Sequence, residues 1–229
     1  MSEAMPQDLT LREEICRVGR SLFERGYLHA TAGNISLRLP EGRGFLITPT
    51  EACLGWLRPE QLAHVAADGA TQLSGDRASK TLALHRRIYA AEPRAQCVIH
   101  SHSTHLVALS LAGVWRPDRV LPPLTPYYLM KVGPVPLIPY HRPGDPAVAE
   151  RVAAAIEAGH AAGTPLRAVL LERLGPNVWH ESPAAAMAVL EELEETARLW
   201  LMTRDRPDAP APLDEARIEE LRRHFGAVW

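Results

Sequence analysis

Apolar residues return along this chain in two rhythms, every three or four positions in some stretches and every second position in others, and the alternation predicts a mixed α/β protein. Leu11, Ile15, Val18 and Leu22 keep the helical rhythm until Gly26, and the capping-box pair Thr10 and Glu13 predicts that this first helix opens at Thr10. Ile35, Leu37 and Leu39 then alternate up to a turn at Pro40, Glu41 and Gly42, after which Phe45, Leu46 and Ile47 complete a hairpin. Val65 to Ala67 followed by Asp68 and Gly69 predicts a second tight turn, and Leu82, His85, Ile88 and Tyr89 mark one side of a helix starting near Ser79.

Cys97, Val98, Ile99 and His100 form a short apolar run of strand length, as do Ala168 to Leu171, with Asn177 to Trp179 expected to pair beside the latter. Pro146 opens a helix through Val148, Val152 and Ile156. Met187, Leu190, Ala197 and Leu201 trace a long helix whose Glu191, Glu192, Glu194 and Glu195 read as a solvated or subunit-facing surface. From about residue 205, Pro207, Pro210 and Pro212 make a stiff connector to a last helix around Ile218 and Leu221. One domain over residues 1–229 is expected, with no internal repeat.

Composition narrows the function. The formal charge is −2, and no basic cluster with interleaved aromatics is present, which argues against nucleic acid as a partner. Cys16, Cys53 and Cys97 are odd in number, widely spaced and set among apolar neighbours, so they read as reduced core thiols. No cationic start with an apolar run opens the chain, and no apolar stretch is long enough for a bilayer, so a cytoplasmic protein without membrane partners is expected.

The chemistry concentrates at His100 and His102. Alternate residues at a strand end point to one side, so the two imidazoles suit one divalent metal, and the cost of burying both without partners weighs ligation above two polar residues that merely finish a buried strand. His105 adds a further imidazole nearby. Thr31, Gly33 and Asn34 place a hydroxyl, a permissive backbone and an amide before a strand. Thr50, Ser79 and Lys80 add hydroxyls and an ammonium near a helix start, a combination that suits an anion such as phosphate.

With these residues in view, the chain resembles the class II aldolase/adducin family through TAGNIS (31–36), LITPT (46–50), SGDRASK (74–80), LHRRIYAAEP (84–93), VIHSHS (98–103) and VPLIPYHRPGD (135–145). ITPTEACLG (47–55), TPY (125–127) and LEELEETARL (190–199) add a likeness to the branch that decarboxylates sugar-acid phosphates. The resemblance implies a three-layer α/β/α fold around a central mixed sheet, a homotetramer with sites between subunits, and Zn²⁺ or another divalent metal. It implies a carbon–carbon lyase working on a sugar-acid or sugar phosphate through an enediolate. His100 and His102 then fall on metal-ligand positions, and Thr31, Gly33, Asn34, Thr50, Ser79 and Lys80 on the substrate or phosphate pocket.

Three positions depart from the family pattern. Thr81 stands at the acid/base glutamate, and its hydroxyl does not shuttle protons near neutral pH. Leu174 stands at the third metal histidine, and Glu51 at the glycine that closes the phosphate pocket. A weak or empty metal site is therefore expected; Glu172 and His141 are candidate substitutes for the ligand, read first as an exposed carboxylate and an ordinary loop histidine, and Glu51 is a candidate substitute for the acid by position. The alternative from another class is a catalytically silent, adducin-like member that binds a small ligand or a protein partner.

Overall fold

The computed structural model describes residues 4–229; residues 1–3, the start of the segment read as lacking a leader, lie outside it. An eight-stranded mixed sheet forms the middle layer. In chain order the strands are β1 (Asn34–Arg38), β2 (Phe45–Ile47), β3 (Ala63–Val65), β4 (Gln72–Ser74), β5 (Cys97–His100), β6 (Leu137–Ile138), β7 (Ala168–Leu171) and β8 (Gly175–His180). Their spatial order is β4-β3-β2-β1-β5-β8-β7-β6, antiparallel throughout except for the parallel pair β6 and β7.

The helices are α1 (Ala4–Glu24), α2 (Leu82–Ala91), α3 (Thr104–Ala112), α4 (Pro126–Lys131), α5 (Pro146–Ala161), α6 (Pro183–Thr203) and α7 (Glu215–Phe225). Strand alternation sorts them into two outer layers. Ile35, Leu37, Cys97, Ile99, Leu170 and Val178 face one way and pack with buried residues of α1, α3, α4 and α6. Val98, Val169, Leu171 and Trp179 face the other way, against Leu84 and Ile88 of α2 and Val152 and Ile156 of α5. The expected α/β/α arrangement is therefore present. No helix among the described residues is long and apolar enough to cross a membrane.

The second face also carries polar residues, and α2 answers them turn by turn. Asn34, Ser36 and Arg38 of β1 share that face, while Thr81, His85 and Tyr89 repeat at a spacing of four on the helix side. Asn34 Nδ2 donates to Thr81 Oγ1 at 3.2 Å, and Ser36 Oγ lies 2.8 Å from both His85 Nδ1 and the Tyr89 hydroxyl. Arg38 Nη2 donates to the carbonyls of Tyr89 and Ala95. These bonds dock α2 on β1 through a polar lacing set within apolar packing.

Several expectations need correction. The first helix starts at Ala4, not Thr10, because the only strong helix breaker upstream, Pro6, falls in its first turn, where proline is tolerated. The carboxylates of the long helix are not all solvated. Glu194 is buried, with Oε1 accepting from the His105 backbone N–H at 2.8 Å and Oε2 from that of Leu106 at 3.0 Å, so it caps α3 from another element. Its Oε1 also lies 2.8 Å from His105 Nδ1, which turns that imidazole to a structural task. Glu191 pairs with Arg25, and Glu195 accepts from the Tyr27 hydroxyl. Cys16 and Cys97 are buried free thiols as expected, and Cys53 is half-buried.

Replacing Glu194 with alanine should lower folding stability by about 2 kcal/mol, because two helix N–H groups lose a charged acceptor in a buried setting. Denaturant melts measure the loss, and hydrogen exchange should show it concentrated at the first turn of α3.

Candidate active site

The strand β5 runs through the middle of the sheet, and its C-terminal end delivers His100 and His102 to a cleft of about 490 Å³. His100 is buried and His102 half-buried, with their Nε2 atoms 3.1 Å apart. The Pro176 carbonyl on β8 accepts a hydrogen bond from His100 Nδ1 at 2.9 Å. That bond places the proton of a neutral ring on Nδ1 and leaves Nε2 with its lone pair, the form that accepts from His102 or binds a cation. Burial, with His102 beside it, lowers the His100 pKa to about 4, and burial with His29 nearby lowers that of His102. Both rings are thus neutral at pH 7.

Close backbone approach makes this corner possible. Gly33 has φ +86, and a Cβ there would lie 2.7 Å from the His100 carbonyl oxygen. Gly175 has φ +125, and its Cβ would meet the Ser101 carbonyl oxygen at 2.1 Å. Glycine is needed at both positions, before β1 and at the start of β8, to let those strands flank the imidazole pair.

Thr31, Gly33, Asn34, Thr50, Glu51, Ser79, Lys80 and Thr81 all line the same cleft as the two histidines, so residues separated by up to 71 positions in the chain meet there as the motifs predicted. The helix α2 begins at Leu82, slightly later than expected, with Thr81 at its N-cap and Ser79 Oγ 2.9 Å from Thr81 Oγ1. Thr81 anchors Asn34 and Ser79 here. Glu51 occupies the left-handed region at φ +56, a conformation natural to glycine, and its exposed carboxylate sits at the cleft beside the hydroxyls.

Leu174 also lines the cleft, so hydrocarbon stands where a third imidazole was expected. Glu172 and His141 reach the same space, but each is engaged: Glu172 Oε2 accepts from the Tyr140 backbone N–H at 2.8 Å, and His141 Nδ1 donates to the Pro139 carbonyl at 2.6 Å. Among the described residues no group of three or more His, Cys, Asp or Glu forms a metal cluster. The donor set fits two positions around a divalent cation, leaving the remainder to water and substrate oxygens. Sequence reasoning missed His29, whose ring centre lies 6.4 Å from that of His102, and Arg142, whose segment lines the cleft. The first lies two residues before the TAGNIS segment and outside it, and the second stood in a quoted segment without being singled out.

Comparison with known proteins decides the family. The model of the class II aldolase and adducin N-terminal domain matches residues 13–201. The chain belongs to the class II aldolase and adducin family. Members of this family are generally divalent-metal dependent. A relative from Cupriavidus necator named 3-oxo-tetronate 4-phosphate decarboxylase is 58% identical over 98% of this chain and 100% of its own length. A relative of the same name from Escherichia coli is 45% identical over 97% of this chain and 100% of its own. The crystal structure of Escherichia coli YgbL superposes with a TM-score of 0.84 at 44% identity, covering 94% of this chain and 99% of that one. Within the family fold, the histidine pair and the hydroxyl-rich loops share one cleft with Thr81, Leu174 and Glu51.

Two outcomes follow from this geometry. Glu51→Gly removes a negative charge and a left-handed conformation that costs about 1–2 kcal/mol in a residue with a Cβ, so it should tighten inorganic phosphate binding in calorimetry without loss of stability. An unchanged affinity would take Glu51 out of the anion pocket. Burial lowers the His85 pKa from 6.5 to about 3, with His100 adding to the effect, so unfolded chains bind protons first as pH falls. The stability that neutral His85 contributes is full above about pH 6.5 and drains away toward pH 3, and His85→Gln should flatten the wild-type slope of stability against pH across that window.

Proposed function

We propose that the protein is a divalent-cation-assisted carbon–carbon lyase of the decarboxylase type, acting on a phosphorylated 3-oxo sugar acid. The observation that carries this reading is the pair of neutral imidazoles converging within 3.1 Å in a cleft that also holds the hydroxyl and ammonium groups of an anion site. The relatives named above lend it the substrate class. A cytoplasmic homotetramer built of single-domain chains belongs to the same reading.

The chemistry of a 3-oxo acid explains why the altered site remains serviceable. When the bond between the carboxylate carbon and its neighbour breaks, the electron pair is delocalised onto the 3-oxo oxygen as an enediolate, and carbon dioxide leaves without a proton. No base is needed for that step, so threonine at position 81 removes a group that an aldol cleavage would miss more. A divalent cation held by His100 and His102 would supply Lewis-acid stabilisation of the negative charge. Thr31, Gly33, Asn34, Thr50, Ser79 and Lys80 hold the phosphate, through hydroxyls, amides and one ammonium. Glu51, exposed at the cleft, is placed to carry the proton that the enediolate takes up afterward.

The absence of a third His, Cys, Asp or Glu donor among the described residues favours a second reading, a family member that keeps the cleft and binds a sugar phosphate without turning it over. Metal content after loading with zinc or manganese, measured together with carbon dioxide release from 3-oxo-tetronate 4-phosphate, separates the two. The lyase reading expects bound metal, triose phosphate as product, and loss of both in His100→Ala with the fold retained. Phosphate binding without metal or turnover would leave the silent reading.

A further inference from the structure

The cleft has two chemically different walls on either side of β5. Toward β1 and the start of α2 it is lined by hydroxyls, amides and the Lys80 ammonium. Toward β8, β7 and α5 it presents Leu171, Leu174, Val148 and Ala149, joined by Leu84 of α2. These five side chains are continuous with the apolar cluster between the sheet and the α2 and α5 layer: Leu84, Ala149 and Leu171 belong to it, and Val148 and Leu174 pack against it. The imidazoles of β5 therefore stand at the seam between an anion-binding half and a half with a continuous hydrocarbon surface, which His141, Arg142, Asp145 and Glu172 also line.

We propose that the apolar half is the station of the carboxylate that departs, and that Leu174 is a specificity-determining residue for decarboxylation; this rests on the decarboxylase reading above. With the phosphate held in the polar half and the 3-oxo group at the imidazoles, the other end of a four-carbon substrate extends toward Leu174. A carboxylate against hydrocarbon is poorly solvated, and carbon dioxide is not. As the carbon–carbon bond breaks, its electron pair moves away from the wall to the 3-oxo oxygen, the neutral product stays behind, and the carbanion carbon later takes one proton, passed from water through Glu51. The wall thus disfavours the bound acid more than the transition state, which raises turnover and not affinity. The nearby acids reinforce this: Asp145 caps the Ala147 N–H and Glu172 the Tyr140 N–H, and neither offers a positive partner to a carboxylate.

Arg142 is the competing anchor, because it lines the cleft from the loop before α5, is exposed, and has no ion pair among the described residues. The test pairs kinetics with binding. Dihydroxyacetone phosphate lacks the carboxylate and 4-phosphoerythronate keeps one, so calorimetry on wild type should favour the former by about tenfold or more, and Leu174→Lys should reverse the order. With 3-oxo-tetronate 4-phosphate, Leu174→Asn should lower kcat at least about tenfold with KM unchanged or lower, while Leu174→Ile stays near wild type and shows that packing alone is not the cause.

Tighter binding of 4-phosphoerythronate by wild type, lost in Arg142→Gln, would put the carboxylate at the arginine and overturn the proposal. So would a rise in turnover with metal in Leu174→His, which would make Leu174 no more than a missing ligand. Wild type that turns nothing over with zinc or manganese defeats the decarboxylase reading by itself, and the ligand preference still judges the wall.

Discussion

The polar lacing between β1 and α2 holds the site together. Asn34, Ser36 and Arg38 would be poor choices for a buried sheet face if nothing met them, since a buried polar group without a partner is expensive. Thr81, His85 and Tyr89 supply partners to Asn34 Nδ2 and Ser36 Oγ at successive helix turns, and Arg38 Nη2 reaches carbonyls at the far end, while Asn34 Oδ1, Arg38 Nε and His85 Nε2 are buried without a partner among the described residues. The lacing sets the height and rotation of α2 above the sheet. Its upper end is the cleft, so the same bonds that dock the helix also place Thr81, Ser79 and Lys80 opposite the loop of Thr31 and Gly33. Asn34 sits directly across from His100 in the β1–β5 register, which ties the anion loop to the imidazole pair.

This construction accounts for the tolerance of the scaffold to changes within the cleft. Thr81 bonds to Asn34 and stands at the N-cap of α2, so the position does its architectural work without an acid. Leu174 follows Arg173, which turns the chain at φ +63 between β7 and β8, and it packs on the apolar cluster. Thr81 and Leu174 fit the local packing and Glu51 holds a left-handed backbone, while the histidines, fixed by β5 and β8, keep their mutual geometry.

Much of the frame was legible because the central strands are short apolar runs bounded by polar or turn residues. The limits read for Cys97–His100 and Ala168–Leu171 match the observed strands, and the hairpin of β1 and β2 follows from simple alternation. The meeting of TAGN, the threonines and the histidines was legible through motif resemblance, since no local rule says that distant loops converge. Other features were hidden for physical reasons. The two-residue strand β6 is too short for any periodicity, and Glu194 looks like its neighbours Glu191 and Glu195 until the helix is placed against α3. His29 sits two residues before TAGNIS, but its approach to His102 arises only from tertiary packing.

The Pro176 carbonyl has a double duty. It accepts from the Ser101 backbone N–H at 3.2 Å, part of the seam between β5 and β8, and from the His100 ring at 2.9 Å. One oxygen thus couples the tilt of an imidazole to the closure of a sheet edge-to-edge contact. Any occupant that pulls on the ring also loads that seam, so filling and emptying the cleft become mechanical events felt along the backbone of the central strands.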